Sequence, residues 1–140
     1  MPSYSFRYPS RLESEEQMLD DFEAALKESG VELKDCRGFL LAVSEAFNNA
    51  MVHGNGSDPS KQVAVRLDVK ETDIVADILD EGQGGLARLQ ARIPRGLLAE
   101  GGRGIDLIAH FADSVDYSQH ASGGLLVTIS IARRKVQTTL

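Results

Sequence analysis

The sequence predicts an α/β fold in one domain, with a mixed sheet and helices gathered on one face. Apolar residues alternate along five segments and recur at helical spacing along three. The segments follow the order β, α, α, β, β, loop, α, β, β. Strands and helices therefore do not alternate strictly, which argues against a fully parallel, doubly wound sheet. A length of 140 residues fits one domain, residues 1–140, and leaves little room for a second.

Residues 3–8 alternate with Tyr4, Phe6 and Tyr8 on one side, a first strand ended by Pro9. A helix follows from near Leu12, capped by Ser10 or Ser14. Its stripe is Leu12, Met18, Leu19, Phe22, Ala25 and Leu26, and Gly30 stops it. A second helical pattern runs from about Lys34 to His53 through Cys36, Phe39, Leu40, Val43, Phe47, Ala50 and Met51, and Gly54-Asn55-Gly56 ends it. Val63, Val65, Leu67 and Val69 alternate with polar or small residues, and Ile74–Leu79 is the partner strand of an antiparallel hairpin. Leu86–Ile93 has the pattern of a short helix, but Pro94, Gly96, Gly101 and Gly102 break the stretch from 85 to 103, as in a mobile loop. A third helix opens near Gly104. Ser114–Tyr117 and Leu125–Ile131 are two closing strands, and the tail from Arg133 frays.

Composition removes several function classes. Lys and Arg total 15 against 21 Asp and Glu, a net charge of −6. A general nucleic-acid binder needs a basic surface, so direct nucleic-acid binding is not expected. A nucleotide ligand remains compatible, because backbone N–H groups can gather locally whatever the total charge. The single cysteine, Cys36, has no internal disulfide partner and reads as a small buried apolar residue. The N-terminus lacks the apolar core of a signal peptide, and no apolar run reaches the roughly 18 residues of a membrane span. A cytoplasmic protein with no membrane contact is expected.

Three clusters can carry chemistry. Glu45, Asn49 and His53 are spaced i, i+4, i+8 and share one helix face. Asn offers a neutral oxygen to Mg²⁺ where phosphates supply the charge. Glu, one turn back, can accept a proton from a hydroxyl or water. An ordinary solvated helix face has the same pattern. Asp80-Glu81-Gly82-Gln83-Gly84 ends a strand, where a carboxylate can accept from an exocyclic amine; a plain glycine-rich turn fits as well. Gly101-Gly102-Arg103-Gly104-Ile105 opens a helix and can cradle an anion, or serve as a hinge.

Together, Ser44-Glu45-Ala46-Phe47-Asn48-Asn49-Ala50-Met51-Val52-His53-Gly54, Asp80-Glu81-Gly82-Gln83-Gly84 and Gly102-Arg103-Gly104-Ile105 resemble the N, G1 and G2 boxes of the GHKL, or Bergerat-fold, ATPases. The phrase SEAFNNAMVHG is most similar to the anti-sigma factor serine/threonine kinases of bacterial partner-switching systems. The resemblance covers residues 10–132. It implies a two-layer sandwich with a mixed, mostly antiparallel sheet, holding ATP between the helices and a lid at about 85–101. It further implies that Asn49 binds Mg²⁺, Glu45 is the general base, Asp80 binds adenine with Gly82 and Gly84 shaping its pocket, and Gly102, Arg103 and Gly104 contact phosphates. Arg88, Arg92 and Arg95 would add positive charge in the lid. His53 would help close the site without reacting. No phospho-acceptor histidine precedes the domain, which argues against a histidine kinase. The implied partners are an anti-anti-sigma factor of the STAS type and a sigma factor, with a homodimer expected by analogy.

One departure has an energetic consequence. Such sites usually end on a Gly-Thr pair whose threonine supports the adenine-binding aspartate. Here Gly124 precedes Leu125 and Leu126, and the nearest threonine is Thr128. One missing hydrogen bond costs roughly 0.5–1.5 kcal/mol, tenfold in affinity at most, so ATP remains the expected ligand. The alternative to a kinase is a non-catalytic, ATP-gated sigma-factor antagonist: Glu45 favours the kinase and Leu125 the binder.

Overall fold

The computed structural model describes residues 2–92 and 103–133. Five strands form one sheet: β1 (Ser3–Pro9), β2 (Gln62–Val69), β3 (Asp73–Leu79), β4 (Ser114–Gln119) and β5 (Leu125–Ala132), in the spatial order β1-β2-β3-β5-β4. All four pairings are antiparallel, more uniform than a mixed sheet. The helices come in pairs between strands: α1 (Ser14–Glu28) and α2 (Arg37–Asn49) after β1, α3 (Gly85–Arg92) and α4 (Arg103–Phe111) after β3. The first pair returns the chain to the end it left, so β2 runs antiparallel to β1. After the second pair β4 runs in the same direction as β3, with β5 antiparallel between them, and tight turns make the other links.

The period-2 patterns decide the register. Val65 pairs with Ile78, Leu67 with Ala76 and Val69 with Ile74, and all six are buried on one face. Phe22 and Leu26 of α1 and Phe39, Val43 and Phe47 of α2 cover that face. A one-residue slip would turn the whole apolar row outward, so burial specifies the pairing strongly.

Two helix expectations need correction. α1 begins at Ser14, and Leu12 lies outside the apolar stripe, 87% exposed. Neither serine caps it. Ser14 Oγ donates to the Pro9 carbonyl at 2.6 Å and Ser10 Oγ to the Lys61 carbonyl at 2.8 Å, so both hydroxyls staple the β1 exit instead. The second helix is three pieces: a 3-10 turn (Leu33–Asp35), α2, and a π-helical turn (Ala50–Gly54) closed by Asn55 N–H on the Ala50 carbonyl at 2.8 Å. Apolar spacing runs through both junctions because Cys36, Phe39, Ala50 and Met51 are all buried.

Within the expected lid, residues 85–92 form α3, while 93–101 lie outside the described residues, as does the tail from 134. No helix among the described residues is long and apolar enough to cross a membrane.

Candidate functional site

A cleft with a cavity volume of about 80 Å³ opens at the C-terminal end of α2. Asn49, His53 and Gly54 form one side, and Ile78 and Asp80 at the end of β3 form another. Tyr117, Leu125 and Val127 from β4 and β5 line it further, with Leu89 of α3 and Ile108 of α4 at its edges. A largely apolar lining with a few convergent polar groups suits a small-molecule ligand.

Asp80 is the buried charge in this wall, 4% exposed. Its Oδ1 accepts N–H from Gly82 at 2.9 Å and from Leu125 at 3.0 Å. Among the described residues its Oδ2 has no hydrogen bond and remains an acceptor for a ligand. Glycines make the arrangement possible. A Cβ at Gly54 would meet Asp80 Oδ2 at 2.1 Å, and one at Gly82 would meet the Gly54 carbonyl at 2.2 Å. Gly84 has φ +70, the left-handed backbone that turns the chain into α3.

The structure joins Asn49, His53, Asp80, Gly82 and Gly84 in one neighbourhood. Asn49, half-buried, and His53, exposed on the π turn, both line the cleft. A π turn following such a residue is a feature frequent at functional sites. Glu45 is half-buried one turn earlier on α2 and is not among the lining residues. Among the described residues, the side chains of Glu45 and Asn49 have no hydrogen-bond partner, and no group of three or more His, Cys, Asp or Glu could hold a metal ion. Arg103 and Gly104 are the first residues of α4, at the end of a helix where backbone N–H groups are unpaired. Gly102 and Arg95 lie outside the described residues; Arg88 and Arg92 fall on α3.

The lost threonine is answered by the backbone. Leu125 supplies its own N–H to Asp80, so the carboxylate keeps a second donor without a hydroxyl. Thr128 is no substitute, since its hydroxyl donates to Asp77 at 2.6 Å. The sequence-based argument missed Asn55, which is 2% exposed and bonded to three segments, because an Asn between two glycines has the signature of a simple turn. It also missed Tyr117, whose phenol burial pushes above its usual range. Cys36 is buried as expected, and burial raises its thiol first, with Asp35 and Glu23 adding to the effect.

Residues 8–131 match the family model described as the histidine kinase-like ATPase domain. The chain is 33% identical over 122 residues to an anti-sigma F factor of Clostridium perfringens, covering 84% of this chain and 82% of that one. An anti-sigma F factor of Geobacillus stearothermophilus is 29% identical over 100 residues, covering 69% and 68%. Among solved structures, the fold is similar to the RsbU and RsbW domains of Rv1364c from Mycobacterium tuberculosis, with TM-score 0.68 and 19% identity over 96% of this chain. The present chain spans 34% of that one. It is also similar to the SiaB–SiaC complex from Pseudomonas aeruginosa, with TM-score 0.55 and 13% identity over 93% of this chain and 89% of that one. By the span of the model match and the identity of these relatives, the chain belongs to the histidine kinase-like ATPase domain family, with anti-sigma F factors among its relatives.

Proposed function

We propose that this chain is a cytoplasmic, Mg²⁺-ATP-dependent protein serine/threonine kinase. On this proposal it phosphorylates a serine of a small anti-anti-sigma protein of the STAS type and regulates a sigma factor by partner switching. The observation that carries the nucleotide half is Asp80: a buried carboxylate pinned through Oδ1, with Oδ2 unpaired, in the same cleft as Asn49. A carboxylate oxygen left open at the cleft can accept from a ligand donor, and the exocyclic amine of adenine is such a donor. The relatives' name, anti-sigma F factor, supports the partner half.

Bound Mg²⁺-ATP supplies the γ-phosphoryl group. Asp80 holds the base, and Gly82 and Gly84 let the loop approach it. Asn49 offers Mg²⁺ a neutral oxygen, which suits an ion whose other ligands are phosphates and water. Gly102, Arg103 and Gly104 meet the phosphates with N–H groups and a guanidinium, offsetting ligand charge in an acidic protein. Glu45, beside the cleft rather than in its wall, accepts the proton of the incoming serine hydroxyl. A homodimer is part of the proposal by family analogy alone.

Labelled ATP with a candidate anti-anti-sigma protein tests this. The expected result is label on a serine of the acceptor, and a loss of at least tenfold in Glu45→Ala. Transfer unchanged in Glu45→Ala would remove the assigned base. Phosphate release without a labelled protein would indicate an ATP hydrolase switch, and ATP binding without either would indicate a non-catalytic antagonist.

A further inference from the structure

Asn55 follows the π turn and reaches three segments at once. Its Nδ2 donates to Ser10 Oγ at 2.9 Å, at the exit of β1, and to the Gln62 carbonyl at 3.0 Å, at the start of β2. Its Oδ1 accepts the backbone N–H of Glu81 at 2.7 Å. Glu81 is the residue after Asp80, and its carboxylate accepts the Gln62 N–H in turn. The loop beyond β3 is thus tied twice to the Asn55–Gln62 pair. The bonds to Asp80 itself come from Gly82 in its own loop and Leu125 on β5, neither of which belongs to α2.

We infer that Asn55 is a positioning residue that sets the adenine-facing carboxylate of Asp80 relative to the helix carrying Asn49. Asn55 lies six residues beyond Asn49 on the same continuous helical segment and turn. It is buried, so its three bonds are shielded from competing water and hold the loop at one distance. A ligand touching Asp80 with its base and Asn49 through its phosphates needs that distance to be constant. The inference rests on the ATP proposal above and extends it to a residue outside the cleft wall, since Asn55 does not line the cavity.

The test compares ATP with inosine triphosphate, which carries a carbonyl oxygen in place of the 6-amino group. Calorimetry gives the ratio of the two dissociation constants for the wild type, Asn55→Ala and Ser10→Ala. The wild type is expected to prefer ATP by at least tenfold. In Asn55→Ala the preference should fall by at least fivefold, because Asp80 is no longer held in place to choose between a donor and an acceptor. Ser10→Ala, which damages the same cluster but leaves the Glu81 anchor, should lower the melting temperature and keep most of the preference. A merely structural role predicts weaker binding of both nucleotides with the ratio unchanged, and that result in Asn55→Ala overturns the inference. If Asn55→Ala does not fold, Asn55→Leu is read by the same ratio, since it roughly keeps the volume and loses both donors and the acceptor of the Glu81 N–H. A wild-type ratio near one would refute the adenine assignment itself, and the inference with it.

Discussion

Gly54→Ala places the heaviest demand on the site geometry. The added methyl would lie 2.1 Å from Asp80 Oδ2 and 2.5 Å from its Cγ, where ordinary contact begins at 3.4 Å. One partner must move by about 1 Å, and Asp80 is not free to do so, because Gly82 and Leu125 hold its Oδ1. Overpacking of this kind costs about 1–3 kcal/mol. Losing one of the two charged hydrogen bonds would cost about 1.5–3 kcal/mol. Alanine's better helical propensity returns at most about 1 kcal/mol. The net loss is about 1.5–5 kcal/mol, a drop of roughly 4–18 °C in melting temperature for a domain of this size. ATP affinity should fall by more than tenfold, because the displaced carboxylate is the proposed base contact. Gly30→Ala is the control: its φ of +80 makes alanine strained, but nothing lies within 4 Å of its Cβ. It should cost stability by about 1–2 kcal/mol and leave ATP binding alone. Thermal unfolding and calorimetric titration of both variants measure this. A Gly54→Ala protein with wild-type melting temperature and affinity would show that Asp80 does not sit against Gly54.

Asn49→Ala should abolish the Mg²⁺-dependent part of nucleotide binding, and calorimetry with and without Mg²⁺ giving wild-type values would remove the metal assignment. Asp80→Asn keeps an Oδ1 but turns Oδ2 into a donor, so ATP binding should weaken by roughly ten- to a hundredfold, about 1.5–3 kcal/mol, with the fold retained; unchanged affinity refutes the base contact. Tyr8 gives a pH dependence. Burial first, then the hydrogen bond to Asp21 at 2.5 Å and its charge, raise the phenol above its ordinary 10.0. The unfolded chain then loses this proton first as pH rises past 10, so Tyr8's contribution is whole below that pH and declines above it. Tyr8→Phe should lower stability at pH 7 by about 1 kcal/mol and flatten the decline above pH 10, read from urea midpoints; an equally steep decline would show that Tyr8 is not responsible.

Much of the sheet could be read directly from the chain. Val63, Val65, Leu67 and Val69 alternate because one face of an antiparallel strand is buried, and the same residues line the core in the structure. The short turn at Glu71–Asp73 forces the hairpin, so β2 and β3 pair as read. Helix ends were less legible. Ser10 and Ser14 have the chemistry of caps, yet both hydroxyls are taken by carbonyls of the β1 exit and of Lys61, which only the fold brings near. The π turn at Ala50–Gly54 leaves no mark on apolar spacing, because a one-residue change of helical pitch keeps Ala50 and Met51 buried.

Residue types and spacing determined by themselves that Asn49 and His53 share a helix face, that a carboxylate ends a strand at Asp80, and that glycines follow it. They also determined the core faces of β1, β2 and β5. That these residues meet was a tertiary matter. Asn49 and Asp80 are 31 positions apart, and no local pattern encodes the cleft between them. The use of Leu125 N–H in place of a hydroxyl, and of Asn55 as a three-way clamp, was likewise decided only by the fold. A backbone N–H is present at nearly every residue, and an Asn between glycines has the same signature in a free turn. Only the packing of β5 and the loop beyond β3 against α2 chooses which of these groups is buried, and burial is what turns a common polar group into one that must find its partner.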